Sequence, residues 1–321
     1  MKKIIGTSLT LIVVIGLLVT TFVVCPFTFT TLQQETLFIL GITCLVSILF
    51  CFIAGEITRN NSQMDKLWSI LPMIYLLVVL IKGTIANGFN ARLLIMTILV
   101  FIWGSRLTYN FAKKGGYSIK FWEGEEDYRW AFLRQNKYFQ NKFIWGIFDL
   151  FFISFYQNFV VLLMTLPAVA IMEASSSFNY YDLIPTLLTL GFIVLETASD
   201  KEQLKFYNKR KELMKDGTKL EDIEAPYNKG FNTMGIHKYS RHPNYLAEQA
   251  IWVSIYLFTI SAGVNTYYVF NPTIVGCLLV ILIFLASSSL AESISMSKYP
   301  LYKEYIKTTS KYIPWFNKKA N

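Results

Sequence analysis

Eight stretches of this 321-residue chain are apolar for close to the length that crosses a bilayer, which removes most soluble architectures from consideration. They fall near residues 4–24, 36–55, 67–86, 92–112, 144–172, 182–198, 246–262 and 272–291. In hydrocarbon a chain must satisfy its own backbone, so runs of this length read as helices. The expected fold is therefore all-α: a polytopic membrane protein with about eight (seven to eight) transmembrane helices and short cytoplasmic helices. One membrane-embedded domain over residues 1–321 is expected, since neither long polar connection is large enough to fold alone. The sixth and seventh runs are short for a full crossing and call for tilting or local thinning.

Charge placement agrees with alternating spans. Of the 30 Lys and Arg residues, all but Lys82, Arg92 and Arg106 fall on one side of the membrane. The positive-inside bias makes that side the cytoplasm, with both termini there. The net charge of +9 is then a matter of lipid headgroups rather than nucleic acid. The N-terminal run has the Lys2-Lys3 start of a signal peptide without a small-x-small cleavage site, and reads as an uncleaved first span. The four cysteines include no C-x-x-C pair and there are two histidines, so no metal site is expected. P-loop, Rossmann, G-x-S-x-G and H-E-x-x-H signatures are missing too, so a nucleotide could be held only by a membrane-embedded polar site.

The densest polar cluster is SRHPNYLAE, Ser240 to Glu248. Pro243 suits the first turn of a helix, which leaves Arg241 and His242 just outside the unpaired N–H groups, an arrangement that suits an anion such as a phosphate. Asn244, Tyr245 and Glu248 follow within one turn. Charges inside apolar runs need a reason. Glu196 begins a stripe with Asp200, Gln203 and Tyr207 at i, i+4, i+7 and i+11, which reads as the wall of a hydrated pocket or as a buried structural network. Arg106 and Asn110 make a second polar stripe, or snorkel to the headgroups. Glu56 and Asp65 flank the short connection after the second run.

Together these motifs resemble the bacterial branch of the steroid 5α-reductase family, the branch known as domain of unknown function 1295, and more distantly the sterol C14- and C7-reductases. The likeness spans residues 65–314, with its core at 196–314. It rests on Asp65-x-x-Trp68, Arg106-x-x-x-Asn110, Glu126-Asp127-Tyr128-Arg129 with Arg134, Glu196 to Gln203, SRHPNYLAE, Glu292, Tyr302, Tyr305 and Ile313-Pro314. The resemblance implies an integral protein of the bacterial cell membrane that uses NADPH to reduce an activated C=C bond, an enone, in a lipophilic substrate. Carried over by position, Arg106, Asn110, Asp200, Arg241, His242, Asn244, Tyr245 and Glu248 line the cofactor site, with the role of His242 open. The carbonyl oxygen needs a proton or hydrogen-bond donor. Asp65 or Glu56 is the carboxyl candidate, and Tyr75 or Tyr109 the tyrosine.

Two other classes compete. Isoprenylcysteine-type membrane methyltransferases share Arg-His-Pro-x-Tyr and bind S-adenosylmethionine, but they carry a Glu-Glu pair where this chain has Ala291-Glu292-Ser293. A non-enzymatic lipid-binding or transport protein would place its polar residues at the membrane midplane in two related halves.

Overall fold

The computed structural model describes residues 16, 27–264 and 270–317, and the apolar run 4–24 lies outside the described residues. The described chain is helical: α1 (Thr31–Thr58), the short α2 (Gln63–Leu67), α3 (Ile70–Asn87), α4 (Ala91–Lys113), the short α5 (Tyr128–Arg134), α6 (Lys142–Ile171), α7 (Leu183–Leu213), α8 (Pro243–Ser261), α9 (Val275–Lys298) and α10 (Tyr302–Thr308). Six helical segments are long and apolar enough to cross a membrane among the described residues, which corrects the expected seven to eight. The run 246–262 does form α8, but Asn244, Glu248 and Gln249 in its first two turns take it out of that set. The chain divides into two compact units, Met1–Thr189 with Trp252–Leu282 and Leu190–Ile251 with Ile283–Asn321, and the divisions fall inside α7, α8 and α9.

In the first unit the helices are sorted as lipid demands. The buried face of α1 carries Gln33, Thr36, Cys44, Ser47, Cys51 and Gly55 beside Leu40 and Ile48. Phe38, Leu45, Val46, Leu49, Ile53 and Ile57 point outward. Small and weakly polar residues let membrane helices approach closely, while large apolar ones face the acyl chains. A capping box starts the helix, with Thr30 and Gln33 satisfying each other's backbone N–H, and Arg59 ends it in the left-handed region.

Close approach also explains two glycines. A Cβ on Gly104 of α4 would lie 2.7 Å from the Ser69 carbonyl oxygen, and one on Gly276 of α9 would lie 2.3 Å from the backbone of Leu163. Arg92 is fully buried and fully used: Nε and Nη2 hold Asp182 at 2.7 and 2.9 Å, and the remaining donors reach Ser176 and Ser177. A fully buried charge is tolerable only when paired in this way.

α6 is not a uniform α-helix. Between Asp149 and Tyr156 it widens into a π-helix, then returns to α geometry at Gln157. Polar contacts line this stretch: Asn61 donates to Asp149 at 2.8 Å, Ser154 to Asp149 at 3.1 Å, and Ser47 to Asn158 at 2.7 Å. Wide turns of this kind are rare and concentrate at functional positions.

The second unit combines the polar ends of α7 and α9, the start of α8, a series of 3-10 turns, and α10. Its apolar centre is Phe231, Tyr302, Tyr305 and Ile306 with Met296 and Tyr299 packed on it. The residues after α10 run parallel to the SRHP motif through a bridge of Ser240 with Ser310. Arg241 N donates to the Ser310 carbonyl at 2.9 Å and His242 N to that of Lys311 at 3.0 Å.

Candidate functional site

Pro243 starts α8, as its missing N–H favours, and the two residues before it are drawn to a carboxylate on another helix. Arg241 Nε donates to Glu292 Oε1 of α9 at 2.7 Å, and Nη1 donates to the carbonyls of Ile306 and Thr309. His242 Nε2 meets the same Glu292 oxygen at 3.2 Å. Burial holds the His242 imidazole below its ordinary titration range; Glu292 works against that shift, Arg241 and Lys311 with it. A neutral ring in contact with a carboxylate must carry its proton on Nε2, which leaves Nδ1 as an acceptor. Tyr245 stacks on His242 with ring centres 5.2 Å apart and meets the edge of Phe284 at 5.0 Å.

On the next turn Asn244 Nδ2 lies 3.4 Å from Asp200 Oδ1 of α7, and Glu248 is buried. Asp200, a member of the α7 stripe, thus meets the start of α8 within this unit. Ser199 Oγ and Gln203 Oε1 are buried with no hydrogen-bond partner. Glu202, one residue away, accepts from Ile236 N at 2.9 Å and faces His237 Nδ1 at 3.4 Å. Gly235 allows this: its φ is +54°, and a Cβ there would lie 2.4 Å from the Glu202 carboxylate.

The motif residues between 65 and 134 belong to the first unit, where most of them build a clasp. The corner between α1 and α3 binds the backbone of segment 121–127. Lys66 Nζ donates to the carbonyls of Phe121 and Glu123 at 2.7 and 2.6 Å, Gln63 to Trp122 at 2.8 Å, and Asn60 to Gly124 at 2.8 Å. In return Glu126 accepts from Asn61 N at 2.9 Å, and Asp127 N donates to Ser62 at 2.8 Å. Asp65 accepts from Trp130 Nε1 at 3.0 Å, with Arg129 3.8 Å away. Burial and the neighbouring Asp127 push the Asp65 carboxyl up, against Arg129. Burial acts on Asp127 too, but Arg129 outweighs it and pulls that carboxyl down.

Arg106 and Asn110 sit on the half-buried face of α4. Tyr109 is largely exposed, with Lys113 Nζ 4.5 Å above its ring, as at a membrane surface. Tyr75 is fully buried within α3. Sequence reasoning named Glu292 only as a motif member and missed Glu202, His237 and the use of Lys66. A carboxylate late in an apolar helix was the available signal for Glu292; the others depend on loop geometry that no spacing announces.

The helices and their outward apolar faces define a helical membrane protein associated with lipid. The chain belongs to the family described as "Protein of unknown function (DUF1295)", whose profile matches residues 51–309. It is 36% identical over 282 residues to an uncharacterized protein of the fission yeast Schizosaccharomyces pombe, covering 84% of this chain and 79% of the relative. A eukaryotic relative this similar overturns both the bacterial branch and the bacterial cell membrane implied by the resemblance. No solved structure matches the chain.

Proposed function

We propose that the protein is a membrane-embedded reductase that takes NADPH and reduces an activated C=C bond in a lipophilic substrate. The observation that carries this reading is the unsatisfied polar edge of α7. Ser199 Oγ and Gln203 Oε1 are buried without partners on either side of Asp200. Each such atom costs about 1–3 kcal/mol unless something binds it. A ribose hydroxyl or a carboxamide N–H is the kind of group that would.

Asn244 Nδ2 stands 3.4 Å from Asp200 Oδ1, which brings an amide and a carboxylate to the same edge. These groups fit the ribose and carboxamide parts of the dinucleotide. Arg241 fits the diphosphate less well, because its Nε and Nη1 are used within the chain. Its task in this reading is to position Asn244 and Tyr245 by fixing the start of α8, together with His242 and Glu292. When bound, NADPH supplies the hydride for the β-carbon of the enone. Asp65 is committed to the clasp and Tyr109 is exposed, so this reading leaves both outside the reacting groups. Arg106 and Asn110 stand as cofactor candidates by resemblance.

The test is a fluorescence titration of the detergent-solubilised full-length protein with NADPH. Saturable binding is expected, weakened at least about tenfold by Asn244→Ala and by Asp200→Asn, with melting temperature preserved. Saturable binding of S-adenosylmethionine with none of NADPH would overturn the reading.

A further inference from the structure

A polar cavity lies wholly within the first unit, and the reductase reading does not use it. It encloses about 420 Å³ at the end of α1 and the start of α6, lined by Glu56, Arg59, Asn61, Arg134, Lys142 and Trp145 among others. Three cations meet one carboxylate at its wall. Arg134 is balanced by Glu126, and Arg59 stands 3.4 Å from Glu56 Oε2. Lys142 makes no ion pair among the described residues. The other Glu56 oxygen, Oε1, is buried without a hydrogen-bond partner. Asn61, which lines the cavity, donates to Asp149 at 2.8 Å.

An aromatic strip leaves the same cavity and descends α6. Phe139 and Trp145 meet edge to face at 5.7 Å, and Phe148 packs on Phe139 at 4.8 Å. Phe148 then stacks on Phe152 at 5.1 Å and Phe152 on Tyr156 at 5.7 Å, with ring planes 17° and 24° apart. The lower rungs lie on the π-helical stretch, and Phe152 is 37% exposed on a helix apolar enough to cross a bilayer.

We propose that this cavity and strip bind one amphiphile that bears a phosphate. The phosphate is a monoester: its charged oxygens take Arg59 and Lys142, its P–OH donates to Glu56 Oε1, and one hydrocarbon chain lies along the strip from Phe148 to Tyr156. Guanidinium and ammonium donors to a phosphate give strong charge-assisted bonds. A chain at the headgroup level of a span has lipid beside it at all times, so an acidic lipid is the nearest source of such a phosphate.

The experiment is native mass spectrometry of the full-length protein in detergent with three probes: dioleoyl phosphatidic acid, dioleoylglycerol and inorganic phosphate. Phosphatidic acid is expected to bind at least about tenfold more tightly than dioleoylglycerol, and the Arg59→Gln/Lys142→Gln variant to lose at least about tenfold of that binding. Phe152→Ala is expected to lose about threefold, and Lys215→Gln, an exposed lysine elsewhere, to bind as the wild type does. If the double variant fails to fold, Lys142→Gln alone carries the same expectation at about half the logarithmic loss. Equal binding of dioleoylglycerol and phosphatidic acid, or undiminished binding by the folded variant, overturns the proposal. Inorganic phosphate binding as tightly as the lipid overturns the amphiphile and makes this a site for a free anion. None of these outcomes depends on NADPH.

Discussion

Lys66, fully buried, places its ammonium 2.6 Å from the carbonyl oxygen of Glu123, across a stretch of chain that contains two membrane helices. The same nitrogen reaches the carbonyl of Phe121 and the side chain of Gln63, so its three donors have three acceptors. Lys66→Met keeps much of the volume and leaves two backbone carbonyls and Gln63 Oε1 without this donor. The expected cost is about 2–4 kcal/mol, with limited proteolysis between residues 114 and 127 as the local readout. Cleavage no faster than in the wild type would show that the clasp does not hold that segment.

Arg241 and Glu292 are expected to behave as one unit. Truncating either to Ala strands a buried partner and should cost about 3–5 kcal/mol. Removing both should cost clearly less than the two single losses together, so a double-mutant cycle in denaturant would return a coupling of about 1–3 kcal/mol. Strict additivity would mean that the 2.7 Å contact contributes nothing of its own.

The chain's two histidines both titrate below the ordinary 6.5, chiefly because they are buried. Glu202 opposes the shift at His237, and Glu292 opposes it at His242. Since the unfolded chain takes up protons that the folded one resists, stability is complete above pH 6.5 and falls as pH drops below it. The limiting slope is about 1.4 kcal/mol per pH unit for each histidine. Melting temperatures at pH 7.5 and 5.5 should differ in the wild type and differ less in His242→Asn and in His237→Asn. A difference of equal size in both variants would place the pH response elsewhere.

Gly276→Ala should be poorly tolerated for a steric reason alone. Its methyl group would enter the backbone of Leu163 and Met164, so α9 must move outward. A loss of about 1–3 kcal/mol is expected, against none for Gly191→Ala, where a Cβ meets open space. Thermal melting of the two variants in one detergent makes the comparison.

The spans were legible because a bilayer imposes one length and one composition on each. Runs read at 67–86 and 92–112 appear as Ile70–Asn87 and Ala91–Lys113, within the drift that caps allow. The run at 182–198 marks only the apolar part of α7; the helical pattern of the residues that follow carries the helix on to Leu213, just short of the Asp216-Gly217 stop. The Asp200–Gln203 stripe was readable because its members share one helix. Arg241 reads as an anion ligand from its place before Pro243, and only tertiary structure reveals that Glu292 and two carbonyls engage its Nε and Nη1. The π-helical stretch of α6 left no trace, since no residue pattern in Asp149–Tyr156 separates one winding from the other.

The bridge between Ser240 and Ser310 has a consequence for biosynthesis. Arg241 is translated about 50 residues before Glu292 and about 70 before the carbonyls that complete its coordination. α8 must therefore enter or await the membrane with a bare guanidinium at its mouth, while the ribosome is still making its counter-ion. The motif can close only as a late event, after α9 has been delivered, so a message interrupted between codons 250 and 290 yields a protein with no finished SRHP corner.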